Sequence, residues 1–169
     1  MNLLGVKMKN EIVPEFVPKR QTVASAGYDI YANEDMYVTE YYKNFDTGIV
    51  LENECIVNTF HQILNPKSGK TLPRINVFQH YVAMIFPRSS MGFKHGLKFA
   101  NTVCIIDQDY RETIKVSLKA DHCFNIKKGE RYAQLVFIPI GINAEEVRPT
   151  KFREGGIGST DVKPLEEYQ

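Results

Sequence analysis

A polar turn between two β-type runs carries the residues in this sequence that are best suited to chemistry. The runs Thr102 to Ile106 and Thr113 to Lys119 flank the turn Asp107 to Glu112, which holds carboxylates, a phenol and a guanidinium. A loop held by two strands can direct a carboxylate and an aromatic ring at a ligand without burying them in a strand. We therefore predict a hairpin with functional groups at its tip. A solvated turn explains the same composition equally well, because Asp is common in turns.

A second candidate site lies at Arg88, Ser89 and Ser90. Serine at the start and glycine at the end of the stretch 87–96 are boundary signals that predict a single helical turn. Backbone N–H groups and hydroxyls would converge there beside the Arg88 guanidinium, an arrangement that favours an anion. An ordinary N-cap next to a surface arginine is the alternative interpretation.

Two further polar residues lie inside predicted strands. Asp29 alternates with Tyr28 and Ile30, and the periodicity favours a carboxylate that accepts hydrogen bonds from nearby backbone. Gln134 stands within the apolar run Tyr132 to Ile140, where its amide needs a hydrogen-bond partner.

The stretch from Arg153 to Asp161 contains three glycines within four residues. Such a segment lets the backbone approach a ligand closely, and it equally describes a flexible tail. The run 68–71 is similar to a phosphate-binding loop, but Leu64 occupies a required glycine position and Pro73 prevents the following helix. We interpret that run as a plain hairpin loop.

Composition narrows the class of protein. A chain of 169 residues with 43% hydrophobic and 24% charged residues fits one soluble globular domain and argues against a membrane-spanning protein. A net charge of +1 disfavours a polynucleotide ligand, so any phosphate recognition depends on a few placed groups. Cys55, Cys104 and Cys123 lack metal-type spacing, and no signal-like segment opens the chain. We expect reduced thiols in a cytoplasmic protein.

Short β-type runs recur along the chain and predict its fold. We expect strands at 3–9, 26–32, 36–42, 47–52, 56–64, 74–86, 102–106, 113–119, 132–140 and 145–152, with a turn at 43–46. Ten or more strands with one short helical turn predict an all-β sandwich, or a barrel of the jelly-roll or β-clip type. Residues 1–152 would form this domain, with an insertion around 53–79, and residues 153–169 a flexible arm.

Taken together, five separated stretches resemble the motifs of the trimeric dUTP pyrophosphatase (dUTPase) family, in that family's order. They run from Ala26 to Thr160, which makes the combined match more specific than any single motif. The stretches are Ala26-Gly27-Tyr28-Asp29-Ile30, Pro87-Arg88-Ser89-Ser90, Asn101 through Arg111, Gly129-Glu130-Arg131-Tyr132-Ala133-Gln134-Leu135 and Gly155-Gly156-Ile157-Gly158-Ser159-Thr160.

The resemblance implies a homotrimer with active sites between subunits that hydrolyses dUTP to dUMP and pyrophosphate. Asp107 would activate the water that attacks the α-phosphorus, and Tyr110 would pack under the deoxyribose. The backbone from Cys104 through Ile105 and Ile106 to Asp107, together with Asn101 and Lys115, would bind the uracil edge. A glycine-rich arm would close over a neighbouring subunit's site.

The resemblance also implies a set of phosphate contacts and a Mg²⁺ ion on the triphosphate. Asp29 would touch the hydrated ion through water. The arm's Ile157 and Gly158 would cover the base. The residues expected at the phosphates are Arg88, Ser89, Ser90, Gln134, Arg153, Ser159 and Thr160.

Several positions depart from the family pattern. Ile157 replaces an aromatic residue, and Cys104 and Glu112 replace glycines. The insertion suggests an extra hairpin that touches a neighbouring subunit or another protein. Two alternatives follow: a regulatory protein that binds a protein partner through the insertion, and a dCTP deaminase of the same superfamily.

Overall fold

The computed structural model describes residues 6–8, 16–51, 56–61 and 75–141. They form twelve β-strands and one α-helix: β1 (Val6–Met8), β2 (Tyr28–Tyr31), β3 (Met36–Val38), β4 (Lys43–Asp46), β5 (Ile49–Leu51), β6 (Ile56–His61), β7 (Ile75–Pro87), α1 (Ser89–His95), β8 (Lys98–Phe99), β9 (Cys104–Ile106), β10 (Lys115–Lys119), β11 (Phe124–Ile126) and β12 (Arg131–Ile140). The prediction of an all-β jelly roll with one short helical turn is confirmed.

Within the described ranges, the strands form four antiparallel sheets. The largest has the order β2-β12-β7-β6, and β9 pairs with β7. β10 lies between β4 and β8, while β1 pairs with β5 and β3 with β11. Alternate residues enter a common core, as in β10, where Val116 and Leu118 are buried and Lys115 is exposed. The strand is therefore half-buried, with one face in the core and the other towards solvent.

The prediction that the runs 102–106 and 113–119 form a hairpin was wrong. β9 pairs with β7, whereas β10 pairs with β4 and β8, so the two strands belong to different sheets. The segment 107–112 therefore connects two sheets rather than closing a hairpin. The strand also starts later than predicted, at Cys104, because Thr102 adopts a positive φ of 60°.

Strand boundaries in the first half of the chain also differ from the prediction. The segment 43–46, predicted as a turn, is strand β4, because Phe45 is buried and pairs with Val116. Strand β3 ends at Val38 rather than at residue 42. The strand predicted at 145–152 and the loop at 68–71 lie outside the described residues.

Helix α1 ends as its sequence predicts. Gly96 has a left-handed conformation, φ 63° and ψ 29°, and its N–H donates to the Gly92 carbonyl at 2.9 Å. A Cβ atom added to Gly96 would lie 1.9 Å from Oδ2 of Asp121. Gly92, inside the helix, has open space at the same position.

This contrast predicts opposite effects of two identical substitutions. We expect Gly96→Ala to lower the free energy of unfolding by about 1 to 2 kcal/mol, because alanine strains the left-handed backbone and displaces Asp121. Gly92→Ala should raise it by roughly 0.5 to 1 kcal/mol through better helix propensity. Urea denaturation of both variants checks this, and equal effects would contradict the assigned C-cap.

Candidate active site

A cavity of about 450 Å³ opens between β9, β10 and the loop that joins them. Its size suits a small organic ligand. It contains the residues predicted at the uracil edge, the sugar and the attacking water. The lining residues are Asn44, Ala100, Asn101, Cys104, Ile105, Ile106, Asp107, Tyr110, Ile114, Lys115 and Ser117.

Strand β9 brings the backbone predicted to contact the base to one wall of this cavity. Cys104 and Ile106 are buried, while Ile105 is 60% exposed, so the strand alternates between core and surface. Lys115, at the start of β10, faces it from the other sheet: the Cys104 Sγ atom lies 4.0 Å from the Lys115 carbonyl oxygen. The cavity thus exists because the two strands are in different sheets.

Asn101 reaches the cavity through a strained turn. The Val103 N–H donates to the Asn101 carbonyl at 2.5 Å, which closes a three-residue turn around Thr102. A β-branched residue with positive φ is unfavourable by roughly 1 to 3 kcal/mol, and such strain concentrates at functional sites. The apolar pattern of 102–106 gave no signal of this turn.

The loop 107–112 holds a compact shape of its own. Tyr110 is buried, its N–H donates to the Asp107 carbonyl at 3.1 Å, and its hydroxyl donates to the Thr113 carbonyl at 3.2 Å. Arg111 folds back, and its Nη1 donates to the carbonyls of Gln108 (2.5 Å) and Tyr110 (3.3 Å). The tyrosine ring therefore forms the floor of the cavity, while Asp107 stays exposed at its edge.

A second cluster surrounds Asp29, which is buried in β2. Its Oδ1 lies 3.3 Å from Arg88 Nε, and its Oδ2 accepts a hydrogen bond of 3.0 Å from Arg131 Nη1. Arg88 Nη1 also donates to the Arg131 carbonyl at 3.2 Å. The prediction that Asp29 accepts from backbone was thus incomplete, because its described partners are two guanidinium groups. Sequence reasoning missed Arg131, although an arginine opening a core strand was a usable signal.

Gln134 belongs to the same sheet as this cluster. In β12 it pairs with Asp29 on one side and with Phe86 of β7 on the other. A Cβ atom at Gly27 would lie 3.0 Å from Gln134 Oε1, so the glycine gives the amide its space. Ser89 and Ser90 open α1 immediately after Arg88. These phosphate candidates do not line the cavity.

The remaining predicted contacts lie outside the described residues: Arg153, Ile157, Gly158, Ser159 and Thr160. Sequence reasoning also missed four cavity residues, Asn44, Ala100, Ile114 and Ser117, which come from β4, β10 and adjacent loops. Within the described ranges, no group of three His, Cys, Asp or Glu side chains could hold a metal ion. None of the described helices is long and apolar enough to span a membrane.

Burial determines the chemistry of Cys104. Desolvation raises the pKa of its thiol above the usual value, only partly offset by a hydrogen bond with Asn101. Cys123 is also a free thiol, but it is exposed.

We expect Cys104 to react with iodoacetamide at pH 8 much more slowly than Cys123, because the thiolate is the nucleophile and a raised pKa lowers its population. Differential alkylation read by peptide mass spectrometry tests this. Urea-unfolded protein is the control, in which the two rates should converge. Faster labelling of Cys104 in the folded protein would contradict its buried position in the cavity.

The fold and the cavity define an all-β protein that binds a small molecule beside an exposed carboxylate. Comparison with known proteins shows the family to which it belongs. The dUTPase family model matches residues 48–161. The deoxyuridine 5'-triphosphate nucleotidohydrolase of Nautilia profundicola is 33% identical over 164 residues, which is 93% of this chain and 99% of that protein. The chain belongs to the dUTPase family.

Solved structures agree on the fold. The Streptococcus mutans dUTPase superposes with a TM-score of 0.58 at 24% identity and covers 82% of this chain and 98% of its own. A mutant dUTPase of Staphylococcus bacteriophage 80alpha with dUpNHpp superposes with a TM-score of 0.58 at 20% identity. The match covers 88% of this chain and 97% of the phage protein. The phage dUTPases are described as controlling transfer of virulence genes.

Proposed function

We propose that this protein hydrolyses dUTP to dUMP and pyrophosphate, with water attacking the α-phosphorus. The observation that carries the proposal is the cavity itself, which joins an exposed Asp107, a buried Tyr110 and the backbone of β9. The names of the curated relatives support the same substrate.

Asp107 is the proposed general base. A base must lie within hydrogen-bond reach of the proton that it removes, and a carboxylate at the rim of a cavity can meet a water there. The loop hydrogen bonds from Tyr110 and Arg111 hold the backbone around Asp107 in one shape. Little rearrangement would then be needed when substrate binds.

The proposed uracil contacts come from the backbone of Cys104, Ile105 and Ile106, with Asn101 and Lys115 assisting. Fixed donors and acceptors reject cytosine, because its amino group would face a donor and leave buried groups unpaired. Tyr110 forms the cavity floor, where its ring would pack under a deoxyribose and clash with a ribose 2′-hydroxyl.

The triphosphate is proposed to lie against Arg88, Ser89, Ser90 and Gln134. Because these residues do not line the cavity in one chain, the proposal includes a homotrimer in which subunits share each site. A neighbour's arm would bring Arg153, Ser159 and Thr160 to the phosphates and place Ile157 and Gly158 over the base.

Mg²⁺ is the proposed cofactor, and the Asp29 cluster tests how it would be held. Both Asp29 oxygens already interact with Arg88 and Arg131, so the carboxylate is poorly suited to direct coordination. Each oxygen still has a lone pair that can accept a hydrogen bond from water. This fits the predicted indirect contact, in which Asp29 would bind a water molecule of the hydrated ion and the phosphates would hold the ion itself. When bound, Mg²⁺ would neutralise charge on the leaving pyrophosphate.

Side-by-side hydrolysis of dUTP, dCTP, dTTP and UTP tests the proposal. We expect pyrophosphate release from dUTP to exceed that from the other three by at least about tenfold, and to require Mg²⁺. Ammonia release from dCTP would instead favour the dCTP deaminase alternative. Equal rates with UTP would contradict the role of Tyr110.

The antiparallel pair of strands β6 and β7 favours a second proposed function, the binding of a protein partner. Among the described residues, β12 pairs with β7 from His80 to Pro87, and β6 is the neighbour of residues 75–79. Strands β6 and β7 fall partly within the proposed insertion around 53–79, which we propose as the place where a protein partner binds. Deleting the insertion should abolish partner binding and leave dUTP hydrolysis intact; loss of both would contradict separate roles.

A further inference from the structure

Among the described residues, one edge of β7 has a short gap in its strand pairing. On the edge opposite β12, β6 pairs with residues 75–80 and β9 pairs with residues 83–85. Tyr81 and Val82 have no strand neighbour on that edge among the described residues. Across the other edge, Tyr81 pairs with Pro139, which has no N–H to donate. The donor that reaches the Tyr81 carbonyl is a side chain outside the sheet.

Gln108 supplies that donor. Its Nε2 lies 2.8 Å from the Tyr81 carbonyl oxygen, and its Oε1 lies 3.4 Å from Nδ1 of His80. Because a carbonyl only accepts, the amide nitrogen must face Tyr81 and the amide oxygen must face His80. The His80 Nδ1 atom then carries a proton, in the neutral ring or in the cation.

Gln108 is also the residue that follows Asp107. Its own carbonyl accepts from Arg111 at 2.5 Å, so both its side chain and its backbone are held. Together with the pairing of Ile106 and Ala83, the half-buried side chain ties the start of the loop to strand β7 on both sides of Asp107. A movement of this link would move the neighbouring carboxylate.

We propose that Gln108 is a positioning residue, whose amide fills the gap beside Tyr81 and thereby holds Asp107 where it can activate water. The inference rests on the proposed dUTP hydrolysis. A misplacement of about 1 Å in a catalytic group can reduce rate about 10²-fold, so one amide hydrogen bond at this position is sufficient to matter.

The test compares Gln108→Leu and Gln108→Glu with wild-type protein and with Gln21→Leu. The last variant makes the same change at an exposed glutamine far along the chain. We expect Gln108→Leu to lower kcat by roughly tenfold to 10²-fold while KM stays within about twofold. Gln21→Leu should leave both constants unchanged.

The pH dependence of kcat in Gln108→Glu distinguishes a positioning role from a merely structural one. An ionised carboxylate cannot donate to the Tyr81 carbonyl, but a protonated one can. Its kcat relative to wild type should therefore rise as pH falls from 8 to 5.5. Hydrogen exchange of the amides at 107–112 in the nucleotide-free protein should be faster in Gln108→Leu.

The outcomes separate the two proposals. A wild-type protein that does not hydrolyse dUTP overturns the proposed function. An active wild type with unchanged kcat in Gln108→Leu overturns the role of Gln108 alone. A flat kcat ratio across pH for Gln108→Glu, or equal loss of kcat and rise of KM in Gln108→Leu, also overturns it.

Discussion

An Asp107→Asn variant is expected to hydrolyse dUTP about 10²- to 10⁴-fold more slowly than wild type, with little change in KM. The amide is nearly the same shape as the carboxylate but cannot accept the proton of the attacking water. Asp107 is exposed at the rim of the cavity, so the substitution should leave the fold intact. Steady-state pyrophosphate release with saturating Mg²⁺ measures the effect.

Glu112→Gln provides the matched control for this variant. Glu112 is an exposed carboxylate at the end of the same loop, but it does not line the cavity. Its substitution changes the net charge by the same amount and should alter kcat by less than about twofold. If the two variants lost activity equally, the effect would be one of charge, and another group would be the base.

The second large effect is expected at Asp29. Asp29→Asn should lower the free energy of unfolding by about 1 to 3 kcal/mol, because it leaves two guanidinium groups facing a neutral amide. Breaking a fully buried pair costs about 3 to 5 kcal/mol. The expected loss is smaller here because the side chains of Arg88 and Arg131 are 26% and 38% exposed, so that water partly screens the pairs. Urea denaturation measures this loss, and KM for dUTP should rise because Arg88 is no longer held.

Asp121→Asn is the control for that prediction. Asp121 pairs with Lys98 at 2.9 Å, but both side chains are largely exposed at 63% and 57%. Water screens such a pair, so its loss should leave stability and KM unchanged. A stability loss for Asp121→Asn equal to that for Asp29→Asn would mean that burial does not set the strength of these ion pairs.

The cavity beside Asp107 and the cluster around Asp29 lie at separate places in one chain, which explains why Asp107→Asn and Asp29→Asn are both expected to have large effects. The cavity beside Asp107 is suited to a base and a sugar, and the Asp29 cluster presents arginine and serine near the start of α1. In the proposed trimer, phosphate contacts and base contacts from different subunits would meet. Sedimentation analysis of the wild-type protein tests the trimer independently of catalysis.

Local sequence patterns determined a large part of the structure. The β-type run of β10, the apolar run of β12 and the glycine that ends α1 all correspond to observed elements, whereas the N-cap of α1 is Arg88 and not a serine. These patterns are local because side chains alternate along a strand and helix ends need particular residues. The resemblance of five stretches to the dUTPase motifs separately implied that Asp107, Tyr110 and Arg88 are site residues.

Only the tertiary structure decided which strands are neighbours. The runs around 107–112 are adjacent in sequence and were predicted to pair, yet β9 joins β7 and β10 joins β4 and β8. Strand pairing depends on which edges remain available after the whole chain has folded, and periodicity does not contain that information. The cavity is a direct consequence, since two paired strands would have left no space between them.

Long-range polar partners were decided in the same way. Asp29 meets Arg131 across 102 residues of sequence, and Gln108 meets Tyr81 across 27. A buried carboxylate or strand carbonyl requires a hydrogen-bond partner, but the sequence does not show which residue provides it. The sequence alone therefore determined that this protein is an all-β member of the dUTPase family with a carboxylate at its candidate site. The tertiary structure alone determined how that carboxylate is held, because the groups that hold it come together only when the sheets close.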